Sequence, residues 1–101
     1  MLRIFTARRG ADLVGYVIYL VRHSTHSSET ITAMQDSIYV APHMRGIGKA
    51  LVQWSDAYLE EEGVAIVYQH VTLFKDFSPM LEASGYELIE RVYGKRLGVT
   101  P

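Results

Sequence analysis

The run Val40-Ala41-Pro42-His43-Met44-Arg45-Gly46-Ile47-Gly48-Lys49-Ala50-Leu51 holds the groups best suited to binding an anion. Apolar spacing after Gly46 predicts a helix, and a helix's first turn leaves backbone N–H groups unpaired at the positive end of its aligned dipoles. Gly46 and Gly48 would let a phosphate oxygen approach those amides without meeting a Cβ, with Arg45 and Lys49 adding charge. Two familiar phosphate loops do not fit. A Walker A loop needs Ser or Thr after Gly-Lys, and here Ala50 follows Gly48-Lys49, with His43 where the first Gly should stand. A dinucleotide loop, Gly-x-Gly-x-x-Gly, fails at its last position, Leu51. His23-x-x-His26 is half a metal site at most, and a Ser/Thr-rich loop without further ligands reads better as exposed surface.

The elements that must carry these residues follow from patterning. Leu2 to Ala7 and the almost continuously apolar Leu13 to Val21 read as strands joined by a hairpin at Gly10, the second covered on both faces. His23 to Thr30 reads as an exposed loop, and Met34 to Val40 as a third strand ended by Pro42. The helix runs from Gly46 to Glu62, with Ile47, Ala50, Leu51, Trp54 and Tyr58 on its apolar face and Gly63 as its stop. Val64 to Val71 reads as a strand, and Ser78-Pro79 as the capped start of a short helix ended by Gly85. Tyr86 to Tyr93 and Lys95 to Leu97 read as closing strands. The expectation is a mixed α/β (α+β) fold around one sheet, with residues 1–101 a single domain.

Composition bounds the function. With 101 residues, 49% of them hydrophobic, the chain suits one core. A net charge of −1 gives no surplus of cations for nucleic-acid phosphates. Without an apolar run of about 20 residues no membrane helix is expected, and the opening residues lack the core of a signal peptide. The absence of Cys removes disulfides, thiol chemistry and cysteine-ligated metal, so the cytoplasm is the simplest expected location.

At the glycine loop the sequence resembles the GNAT acetyltransferase superfamily, whose signature is Gln/Arg-x-x-Gly-x-Gly/Ala at the start of a central helix. Gly46 and Gly48 occupy its glycines, Ile38-x-Val40-x-Pro42 is similar to the preceding strand end, and Gly85-Tyr86 to a later Gly-aromatic pair. The resemblance extends from about Leu13 to Leu97, and small acetyltransferase-like proteins of tailed phages are similar. It implies a mainly antiparallel mixed sheet with a central pyrophosphate-binding helix and a short C-terminal helix. The chain departs from the pattern at His43, in the first motif position, and at Leu81, where the family usually has an acid Tyr. It also begins near the hairpin, lacking the family's N-terminal strand and two helices, as a minimal form, a fragment or half of a dimer would.

The resemblance implies an N-acetyltransferase moving acetyl from acetyl-CoA to an amine by direct attack. Met44, Arg45, Gly46, Ile47, Gly48, Lys49 and Ala50 would hold the pyrophosphate, and Tyr39 and Val40 the pantetheine arm. The Val40 N–H would also polarise the thioester carbonyl. The acceptor ammonium needs a base, for which Asp36 and His70 are the candidates, each with a structural alternative: Asp36 as strand start or ion pair, His70 as a hydrogen-bonded core or edge imidazole. With Leu81 apolar, the acid falls to Tyr86, Tyr93, Tyr68 or solvent, and no metal is expected. The expected partner is a small-molecule or peptide amine, with no nucleic acid and no membrane. Two rival readings are a non-catalytic module binding acyl-CoA or a protein partner, and a homodimer across the sheet face the absent helices would cover.

Overall fold

The computed structural model describes residues 1–23, 30–44 and 46–98. Its elements are β1 (Leu2–Arg9), β2 (Asp12–His23), β3 (Ile31–Val40), α1 (Ile47–Glu61), β4 (Ile66–Tyr68) and α2 (Ser78–Ala83). The strands form one sheet in the order β1-β2-β3-β4, antiparallel except for the parallel pairing of β3 with β4. This is the mixed, mainly antiparallel α+β architecture expected. Among the described residues, no helix is long and apolar enough to cross a membrane.

The core lies between α1 and one face of the sheet. Phe5, Val17, Tyr19, Val21 and Ala33 meet Leu51, Leu59 and Val64 there. Alternation sends Ile4, Ile18 and Leu20 to the other face, where Ile4 and Leu20 are exposed and Ile18 is half-buried. The apolar run of β2 therefore does not reflect burial on both faces. Trp54 and Tyr58 also depart from expectation, since both are exposed and pack edge-on against Phe5 instead of filling the core. The buried stripe of α1 is Leu51, Val52, Ser55 and Leu59. Trp54 and Tyr58 stand over β1, an edge strand beyond which the sheet offers no further cover.

The end of the chain differs most. The expected strand from Val64 to Val71 is ordered as a ladder only over Ile66–Tyr68, because its backbone leaves β3 beyond that point. Tyr86 to Tyr93 and Lys95 to Leu97 form no strand, since their backbone meets no ladder partner among the described residues and Leu88, Ile89, Val92, Tyr93 and Leu97 stay exposed. The cap of α2 is likewise not Ser78, which is its first helical residue; Asp76 Oδ1 accepts the Ser78 N–H at 2.9 Å. In the expected loop from His23 to Thr30, His23 ends β2, while residues 24–29, His26 included, lie outside the described residues.

The seating of α1 depends on Gly15. A Cβ there would stand 2.9 Å from Leu51 Cδ1 and 3.1 Å from both Ile47 Cγ2 and the Tyr39 carbonyl oxygen. The helix can shift a side chain, but the Tyr39 carbonyl belongs to the ladder. Gly15→Ala is therefore expected to cost about 1–3 kcal/mol, the range of core overpacking, as a lowered urea midpoint. An unchanged midpoint would mean that the helix is not pressed against the sheet there.

Candidate functional site

Two local departures from a regular sheet open a cleft. The β2–β3 register moves from Ile18↔Ser37 to Tyr19↔Gln35, leaving Asp36 as the extra residue of a bulge. Across the sheet, β3 pairs with β4 only as far as Met34↔Tyr68. Two residues past that last pair, the His70 N–H bonds to the side chain of buried Gln35, at 3.1 Å from Oε1. A side-chain amide thus stands where a strand backbone would continue. Beyond it the strands part around a cleft of about 730 Å³, lined by Gln35, Ser37, Ile38 and Val40 on one wall and His70, Thr72 and Phe74 on the other, with Gly48 and Met80 at its helical end.

The cleft ends on a set of free main-chain donors. Ala41 donates its N–H to the Val14 carbonyl at 2.8 Å, in the direction of β2. Alternation along the strand directs the Val40 N–H to the opposite edge, into the cleft. Gly46 precedes α1 with φ +85°, the left-handed conformation that a side chain disfavours. No side chain caps this helix and no acidic residue lies in its first turn, so among the described residues no side-chain anion competes for the amides of Ile47, Gly48 and Lys49. A Cβ at Gly48 would meet Val40 Cγ2 at 3.4 Å and Met80 Cε at 3.8 Å, so the glycine keeps open the passage between cleft and helix.

Two of the amides expected to bind phosphate are already used. The Met44 N–H bonds the Ala41 carbonyl at 2.9 Å, closing the turn, and the Ala50 N–H makes the first helical bond to Gly46 at 3.1 Å. Of the expected set, the amides of Gly46–Lys49 are the candidates that remain. Arg45 lies outside the described residues. Tyr39 turns its ring onto Tyr16, with centroids 5.6 Å apart, and is placed to contribute only backbone. Lys49 is exposed at the helix start.

The three residues expected to move protons are not brought together. His70 lines the cleft. Asp36, at the bulge, is exposed and does not line it, because its neighbours Gln35 and Ser37 take the cleft positions. Tyr86 lies outside it, in a polar cluster between α1 and the far side of β4. Its hydroxyl donates to Asp56 Oδ1 at 2.6 Å and accepts from Gln69 Nε2 at 3.4 Å. Gln69 Nε2 also donates to the Tyr19 hydroxyl at 2.8 Å, which bonds Ser55 Oγ at 3.0 Å. Burial, and then the bond to Asp56, push the Tyr86 phenol well above its usual range. Burial likewise raises the Asp56 carboxyl, against the opposing effect of the Tyr86 bond. Leu81, at the family's acid position, is a buried core residue.

Gln35 and the cluster of Ser55, Asp56 and Gln69 escaped the sequence reading. Ser55 on the apolar stripe of a helix was a visible signal, since a buried hydroxyl needs a partner. Gln35 carried none, because a polar residue in a strand is usually solvent-facing. Among the described residues, no group of three or more His, Cys, Asp or Glu is placed to hold a metal ion.

The folded Asp56 carboxyl binds its proton more tightly than the unfolded chain does. This contribution is full at low pH and is lost as pH rises through the raised folded value. Asp56→Asn keeps an acceptor for Tyr86 but cannot ionise. It is expected to gain stability relative to the parent between about pH 4 and 7, measured by urea unfolding across that range. Parallel curves would contradict the assignment.

Comparison with known proteins places this fold. The model of the acetyltransferase (GNAT) family matches residues 2–78. No curated protein matches the chain in sequence. Among solved structures, an aminoglycoside acetyltransferase from an uncultured soil metagenomic sample, in complex with sisomicin, is 20% identical with TM-score 0.77, over 98% of this chain and 66% of that one. A ribosomal-protein-alanine N-acetyltransferase from Brucella melitensis biovar Abortus 2308 is 24% identical with TM-score 0.75, over 96% and 70%. The aminoglycoside N-acetyltransferase AAC(6')-Iy in complex with CoA is 21% identical with TM-score 0.74, over 97% and 77%. The chain spans about two thirds of the length of the first of these, 66%.

Proposed function

The chain belongs to the GNAT acetyltransferase family, and from that premise we propose that it is an N-acetyltransferase moving acetyl from acetyl-CoA to an amine. The observation that carries this reading is the meeting of a strand-edge cleft with an uncapped, glycine-entered helix start. The donor set suits the ligand. Backbone amides at the positive end of α1 complement a pyrophosphate, and a cleft running beside a strand edge suits an arm bearing amide groups. When bound, acetyl-CoA supplies an acyl thioester whose acetyl group passes to the amine nitrogen as the thiolate leaves.

The chain's own groups then have distinct tasks. The amides of Gly46–Lys49 hold phosphate oxygens. The edge of β3 at Ile38 and Val40 pairs with the arm, and the Val40 N–H donates to the carbonyl oxygen where negative charge develops. His70, on the opposite wall, takes the proton that an ammonium acceptor must lose before attack. With Leu81 in the core and Tyr86 bonded to Asp56, the thiolate draws its proton from solvent.

Isothermal titration with acetyl-CoA should give saturable binding. Gly48→Val fills the passage beside Val40 and Met80 without forcing a left-handed side chain, as Gly46→Val would. Losing one charge-assisted bond, worth about 1.5–3 kcal/mol, predicts at least about tenfold weaker acetyl-CoA binding at a similar urea midpoint. Equal affinity in both proteins would contradict the cradle.

The second reading, a module that binds acyl-CoA or a protein partner without turnover, is favoured by the buried Leu81. Thioester consumption over a panel of amines and peptides separates the two. His70→Gln is expected to lower kcat by about 100-fold or more, with acetyl-CoA affinity unchanged. Turnover equal to the parent would remove His70 from the mechanism, and binding without turnover in the parent would favour the second reading.

A further inference from the structure

At the edge of the sheet away from the cleft, β1 offers a ladder that nothing completes. Met1 and Val21 exchange backbone bonds: the Val21 N–H meets the Met1 carbonyl at 2.7 Å, and the Met1 amine meets the Val21 carbonyl at 3.2 Å. Alternation from that pair turns the backbone groups of Arg3 and Phe5 inward to β2, and those of Leu2, Ile4 and Thr6 outward. β1 ends the strand order, and among the described residues no strand takes up those outward groups.

Edge strands are normally blunted by a charge, a proline or a bulge. From Leu2 to Ala7 none of these operates. The one charged residue, Arg3, is turned back over the sheet and held by Glu62, with Nε 2.9 Å and Nη2 2.8 Å from its carboxylate oxygens. The bulge comes only after Ala7. Both layers beside the edge are apolar. Leu2 and Ile4 are exposed on one face, and on the other the exposed Trp54 and Tyr58 overhang the edge from α1, packed edge-on to Phe5.

Charge indicates what completes the edge. Arg8 and Arg9 stand at its far end, while its start lies under the last turn of α1, where Glu62 holds Arg3 and Glu61 follows Tyr58 by one helical turn. Arg8, Arg9 and Glu61 are exposed, and among the described residues none of them is in an ion pair. The edge is therefore polarised lengthwise, positive at one end and negative at the other. An antiparallel strand with the same polarity along its own chain meets both ends with opposite charge, and a second β1 is such a strand.

We propose that β1 pairs with β1 of a second copy of this chain, antiparallel about a two-fold axis at Ile4, joining two four-stranded sheets into one. In that register Ile4 faces the partner's Ile4 and Leu2 faces the partner's Thr6, so the outward backbone groups meet as the bonded pairs of an antiparallel ladder. Arg3 falls opposite the partner's Phe5, clear of a second Arg. The Leu2 and Ile4 side chains run on into the partner's stripe, and the two overhangs of Trp54 and Tyr58 face one another across the axis. A contact of this symmetry closes on itself, so it makes a dimer and no fibre.

Light scattering should give twice the 11.4 kDa chain mass. Ile4 is 59% exposed, so Ile4→Lys is expected to keep the far-UV spectrum of the parent while setting two like charges face to face, and to be a monomer. The chain has no Cys. Under mild oxidation Ile4→Cys is expected to link to itself across the axis, where paired Cα atoms stand about 5.5 Å apart, while Leu13→Cys, exposed beside the hairpin, is not. A monomeric parent at high concentration would overturn the proposal. So would an Ile4→Lys protein that dimerises as strongly as the parent, or an Ile4→Cys protein that links no more readily than Leu13→Cys. Neither readout depends on acetyl-CoA binding, which calorimetry measures separately.

Discussion

The parting of β3 from β4 is the constraint on which the site depends. Parallel neighbours normally satisfy one another's backbone groups along their whole length, and a gap between them leaves polar atoms without partners. Here the gap is held open by an exchange: Gln35, buried on the core side, gives its amide oxygen to the His70 N–H. The bulge at Asp36 resets the pleat just above it, so Gln35 and Ser37 both line the opening. Without the exchange, β4 would be free to keep pairing along β3 and would cover the N–H of Val40. The cleft is thus a break in a ladder, and the donors it frees are the ones a bound arm can use.

The second requirement is that α1 start at the mouth of that break. Gly15 lets the helix lie close on β2, and the Leu51–Leu59 stripe fixes its rotation. The polar cluster then ties the same helix to the far wall. Ser55 meets Tyr19 of β2, Asp56 meets Tyr86, and Gln69 bridges both phenols. A wall that has left the sheet at Tyr68 is in this way fastened to the helix from behind. The energetic consequence is that a carboxylate is kept half-buried, and burial holds its proton more tightly than usual against the opposing effect of the Tyr86 hydroxyl. Tyr86 accordingly reads as a brace of the cleft wall, while His70 lines the cleft itself.

Much of this was legible in the residues. The hairpin, the helix from Gly46 and the glycine loop followed from periodicity and turn chemistry, since those signals are local. The glycine loop was visible as a candidate anion site, but not which of its amides the fold itself would use: the turn at Ala41–Met44 consumes one and the first helical bond another. The opening itself could not be read. A strand pattern from Val64 to Val71 does not show where its neighbour releases it, because that depends on a glutamine thirty-odd positions upstream reaching across. The same limit explains Tyr86 to Leu97, where alternation has the character of a strand but the backbone meets no ladder partner among the described residues.

The central claim is that bare amides at Val40 and Gly46–Lys49 face one ligand. Titration of 15N-labelled protein with CoA tests it most directly. The account predicts that the amide resonances of Val40, Ile47, Gly48 and Lys49 move together and saturate at one concentration, while those of Met44 and Ala50, already bonded within the chain, move less. Saturable binding that shifts amides elsewhere and leaves this group unmoved would contradict it.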